Sequence, residues 1–133
     1  MKSVVAGLVG LVLAASPLLA HHSFEAEYDR NQTATLKGTV TKVEWQSPHV
    51  YFYVDVPDRQ GVVTNWAVEI GAPAGLYRSG WRKDTLKVGE RITVDGFRAR
   101  NGKNHINGRT VVLANGQRVF SGQAGETGGG PER

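Results

Sequence analysis

Val50, Phe52, Val54 and Val56 alternate with His49, Tyr51, Tyr53 and Asp55. A period of two places the sets on opposite faces of a strand, with the apolar set inward. Related patterns recur along the chain. Thr33–Trp45 reads as one long strand in which Leu36, Gly38 and Val40 share a face, while Val43 and Trp45 fall on the other parity. That change of phase predicts a bulge near Thr41-Lys42, which lets a long strand bend. Ser47-Pro48 interrupts pairing before the strand opened by His49. Pro57–Gly61 is a turn, because proline presets φ and glycine permits positive φ. Val62–Ile70 is a third strand, with Val62, Thr64, Trp66, Val68 and Ile70 on one side.

Ala72–Ser79 is the only helical segment the pattern allows, with Pro73 near its start and Gly80 at its end. Three strands follow, at Arg91–Arg98, Asn107–Leu113 and Gln117–Phe120. Asn101-Gly102 and Asn115-Gly116 supply the hairpin turns. The order is β-β-β-α-β-β plus a short terminal hairpin strand. It fits an all-β fold with one short helix: a small five-stranded Greek-key barrel of the oligonucleotide/oligosaccharide-binding (OB) type. Another small barrel or a sandwich is the alternative. The expected core is Leu36, Val40, Phe52, Val54, Trp66, Val68, Ile92 and Val94, with Trp66 and Trp81 as anchors.

The ends read differently. Lys2, the uncharged apolar run Val4–Ala15, the Ser16-Pro17 break and the small residue Ala20 make residues 1–20 a secretory signal. The run is short for spanning a bilayer. Cleavage after Ala20 would leave His21–Arg133. Residues 21–32 form a lead-in that Phe24 and Tyr28 pin to the body, either as one helical turn or as extended chain. Residues 33–120 form the barrel domain. Residues 121–133, rich in Gly, Glu, Pro and Arg, form a tail expected to be disordered. The chain has no cysteine, which excludes disulfides, thiolate sites and lipoprotein acylation. Without Lys2, 15 Lys and Arg face 12 Asp and Glu, interspersed, so the charge reads as solubilisation rather than a polyanion footprint.

Chemistry-bearing residues are few. His21 and His22 stand out. Processed after Ala20, His21 offers an α-amine and an imidazole to one ion, with His22 adding a further nitrogen. Processed after Leu19, a histidine at position three lets amine, amides and imidazole wrap Cu(II) or Ni(II) in a plane. Either arrangement favours Cu(II) as the cofactor; the other reading is a solvated terminus. His49 shares a strand face with Tyr51 and Tyr53, a candidate third metal ligand beside a candidate ligand-binding face, or else a hydrogen-bonded sheet residue. His105 sits in a polar turn and reads as solvated, as do the strand carboxylates Glu44, Asp55 and Glu69. No nucleophile elbow, phosphate loop or dinucleotide fingerprint is present, so the sequence names no catalytic residue. Arg78, Arg82 and Lys83 form too small a basic cluster to imply nucleic acid, and export argues against that partner.

His21-His22-Ser23-Phe24, Leu36–Val40, Ser47-Pro48-His49, Trp66–Glu69, Gly80-Trp81 and Val94–Phe97 together resemble a family of small exported bacterial proteins of uncharacterised function. Its members start the mature chain with a His-His pair and carry an Asn-Pro-His or Ser-Pro-His element. The resemblance implies secretion and a barrel-like fold, and directs attention to His21, His22 and His49. It implies no activity. The expectation is a periplasmic or secreted, non-enzymatic binding or accessory protein, off the membrane after processing, whose partner is a metal ion, copper in particular, or a periplasmic protein. The alternative is a metal-independent module that binds a small ligand or protein through Tyr51 and Tyr53.

Overall fold

A computed structural model describes residues 24–120. After a helical turn at residues 24–27 come strands β1 (Tyr28–Glu44), β2 (Tyr51–Pro57) and β3 (Val63–Glu69), helix α1 (Pro73–Arg78), and strands β4 (Arg91–Ala99), β5 (His105–Val112) and β6 (Arg118–Phe120). β1 pairs antiparallel with both β2 and β4, β2 with β3, and β4 with β5. Parallel pairing of Ala67–Glu69 with His105–Asn107 joins β3 to β5 and completes a ring of hydrogen-bonded strands, β1-β2-β3-β5-β4. β6 adds to the far end of β5. This is the expected OB-like barrel order, with the helix between the third and fourth strands.

β1 makes the ring possible. Its first two-thirds pair with β4 and its last third with β2, and the register slips between Val40 and Lys42, at the predicted bulge. The crossing is tight. A Cβ on Gly38 would lie 2.1 Å from the Asp55 carbonyl oxygen, and one on Gly96 equally close to that of Asn107. Only glycine lets the backbones approach this far.

Inside the ring, Leu36, Val40, Phe52, Val54, Val68, Ile92 and Val94 are all buried, as their parity requires. Trp81 follows α1 and seals the core with Leu76 and Leu86, so its role as an anchor holds. Trp66 is a correction: it is only partly buried at the core margin, and the Arg98 guanidinium lies 5.2 Å from its ring. A large indole at the rim keeps one face for a cation. β1 starts at Tyr28, five residues before Thr33. Both readings of the lead-in are partly right, because a helical turn carries Phe24 and the extended chain begins at Tyr28. Phe24, Tyr28, Phe97 and Ala99 form a second small core at this end. The proposed signal and tail lie outside the described residues. Among those described, no helix is long and apolar enough to cross a membrane.

Candidate functional site

Glu69 closes β3, opposite Tyr51 of β2 and Asn107 of β5. It is the one acidic residue buried among those described, at 3% exposure. A carboxylate withdrawn from water needs donors around it. The fold gathers polar side chains around it from β1, the loop before β2, β2 and β5. Tyr28, the first residue of β1, donates its hydroxyl to Glu69 Oε2. His49, which leads into β2 through a cis Ser47–Pro48 bond, holds Nδ1 2.6 Å from Glu69 Oε1. His105 opens β5 with Nε2 2.9 Å from the Tyr28 hydroxyl and 3.8 Å from Glu69 Oε2. Tyr51 lies 6.0 Å ring to ring from His105.

Directions of hydrogen bonding follow from the acceptor. A carboxylate only accepts, so the Tyr28 proton goes to Glu69 and the phenol oxygen is left to accept from His105 Nε2–H. His49 likewise requires its proton on Nδ1. The protonation preferences agree. Burial, reinforced by the bond to Glu69 and its charge, pushes the Tyr28 phenol far above its ordinary range, and burial does the same to Tyr51. Burial also holds the His105 imidazole below its ordinary value against the opposing pull of Glu69. Each histidine remains partly open to solvent, with side-chain exposure of 34% for His49 and 24% for His105. Deeper in, Asn107 is fully buried, and its Oδ1 has no hydrogen-bond partner among the described residues.

A model of a family of unknown function, DUF6152, matches residues 8–108. The chain belongs to that family. No curated protein matches it. Two crystal structures of the mitochondrial single-stranded DNA-binding protein Rim1 from S. cerevisiae are similar in fold. One aligns with a TM-score of 0.49 and 9% identity, covering 62% of this chain and 93% of that one. The other, of selenomethionine-labelled protein, gives 0.48 and 12%, covering 68% and 97%.

In this DUF6152 protein the residues singled out by sequence are distributed unevenly. His49 and Tyr51 come together at Glu69. Tyr53 does not: its hydroxyl bonds to Glu44 Oε2 at 3.2 Å, beside the Lys42–Glu44 ion pair. Tyr51 and Tyr53 therefore serve different clusters, although their parity is shared. His21 and His22 lie outside the described residues. Glu69 and His105 are corrections to the reading as solvated groups. The sheet pairs Glu69 with Asn107, and the parallel closure, invisible in a linear sequence, draws the start of β5 over it. Arg82, part of the small basic cluster, caps the chain after α1, donating to the Tyr77 and Trp81 carbonyls and stacking 3.7 Å from the Tyr77 ring. Among the described residues, no three His, Asp or Glu side chains are arranged to hold a metal ion by themselves.

Tyr28→Phe tests the network with minimal change of shape. Removing a hydroxyl bonded to a carboxylate is expected to cost about 1.5–3 kcal/mol in denaturant unfolding at pH 7. The raised phenol pKa fixes the pH dependence. The neutral phenol's contribution is fully present below the unfolded tyrosine value of about 10 and is lost as pH rises beyond it. The stability difference between wild type and Tyr28→Phe should therefore hold up to about pH 10 and shrink above it.

Proposed function

We propose that this protein is an exported, non-enzymatic binding or accessory protein that takes up Cu(II) through its processed amino terminus, with His21 and His22 as ligands and His49 as a third. One observation carries this reading: Glu69 joins His49 to Tyr28, at the point where the amino-terminal segment meets the barrel. The Phe24 ring packs 5.3 Å from that of Tyr28 and is itself buried against Phe97 at 6.0 Å. Phe24, docked at this end of the barrel, follows His21 and His22 directly after Ser23 in the sequence. A free terminal amine and adjacent imidazoles are the nitrogen donors Cu(II) prefers.

The reading is tested by native mass spectrometry on protein recovered from the periplasm. It predicts a mature chain beginning within one residue of His21 and carrying one copper ion. Retention of residues 1–20 in the membrane fraction overturns the export and the amine ligand together. A processed chain that takes up no copper leaves the metal-independent binding module in its place.

A further inference from the structure

We propose that Asn31, on the bulge near the start of β1, is an acceptor site for an N-linked glycan. This rests on the export proposed above and is independent of copper. The donor is a glycan carried on a polyprenyl pyrophosphate, and the catalyst is a separate oligosaccharyltransferase.

Asn31-Gln32-Thr33 is an Asn-x-Thr acceptor triplet with no proline at its middle position. Of the six asparagines in the chain, only Asn31 has a serine or threonine two residues on. Asp29 lies two residues ahead of it, which completes the longer acidic-x-Asn-x-Thr pattern that bacterial transferases select. A triplet alone is a short motif, and its placement carries the argument. Asp29 pairs with Arg98 and Thr33 with the adjacent Phe97, so residues 30–32 bulge out with no partner on β4. On the other edge, β2 joins β1 only from Thr39 onward, so among the described residues no strand flanks the bulge. Arg30 turns back onto the barrel, 4.5 Å from the Phe24 ring and paired with Glu25. Asn31, Gln32 and Thr33 are exposed. Asp29 holds the bend, accepting from the Asn31 backbone N–H at 2.9 Å and from Gln32 Nε2 at 3.2 Å. Among the described residues, neither the Asn31 carboxamide nor the Thr33 hydroxyl has a hydrogen-bond partner. Both groups that a transferase must engage are therefore free and in water. In the transfer, Asn31 Nδ2 bonds to the anomeric carbon of the glycan. The bond from that carbon to the pyrophosphate oxygen breaks, the lipid pyrophosphate leaves with the electron pair, and one amide proton passes to a base.

The test is intact-mass and peptide-mapping mass spectrometry of the full chain, made in a bacterial host that also carries an oligosaccharyltransferase and a polyprenyl-pyrophosphate-linked heptasaccharide. A second chain, His21–Arg133 behind an unrelated cleavable signal, is run beside it. Both should gain the mass of one glycan, mapped to Asn31. Asn31→Gln and Thr33→Val should each lose that mass completely while melting like the parent, since both side chains are exposed and make no hydrogen bond. If the native signal fails to export but the second chain is modified at Asn31, the export reading falls and the acceptor site stands. If the second chain reaches the periplasm with Asn31 unmodified, or takes its glycan at another residue, the inference is overturned whatever the native signal does.

Discussion

Phe52→Ala is expected to destabilise the protein by about 3–5 kcal/mol, through lost transfer free energy and the cavity left behind. Phe52 is fully buried near the start of β2, paired to Val43 on one side and Val68 on the other, so three strands of the ring line the space its ring fills. Backbones locked in a closed ring of hydrogen bonds leave little room for collapse into that space. A domain of this size has about 5–15 kcal/mol of stability in total, so the variant should melt at least about 10 °C lower, as circular dichroism would show. A melt matching wild type would place Phe52 outside the core.

That core was legible because its signal is local. Parity along β2 and β4 sorts Phe52, Val54, Ile92 and Val94 from their neighbours, and the phase change in β1 marks the bulge at Val40–Lys42. Trp66 was misplaced because parity assigns a face but not a depth, and the rim of a small barrel is too shallow to cover an indole. The site was half legible. His49, Tyr51 and Tyr28 carried some sign of interest. Glu69 and His105 carried none, because each depends on the parallel β3–β5 contact. A carboxylate on a strand is normally solvated, and only tertiary closure makes this one buried.

Glu69→Ala should be among the most damaging changes outside the apolar core, at about 2–5 kcal/mol, since donors withdrawn from water lose their acceptor at about 1–3 kcal/mol each. The Tyr28 hydroxyl loses its acceptor, and so does His49 Nδ1. The Asn107 side chain beneath, already short of a partner at Oδ1, gains none. Glu69→Gln should recover more than half of the loss, since an amide oxygen still accepts one of these bonds and the volume is kept. Equilibrium urea unfolding of the two variants beside wild type measures both numbers. If Glu69→Ala lies within about 0.5 kcal/mol of wild type, the range of an ordinary surface substitution, the carboxylate does not organise this end of the barrel.

Copper affinity of the processed protein, set against that of the isolated peptide His21–Tyr28 in the same competing chelator, tests the functional account most directly. The peptide has the same amine and the same two imidazoles, so it measures what the terminus does alone. If the folded domain supplies His49 and tethers the terminus beside it, the protein should bind Cu(II) at least about tenfold more tightly, a difference of about 1.4 kcal/mol. Equal affinities for protein and peptide would mean that the barrel contributes nothing to the ion, and would contradict the account.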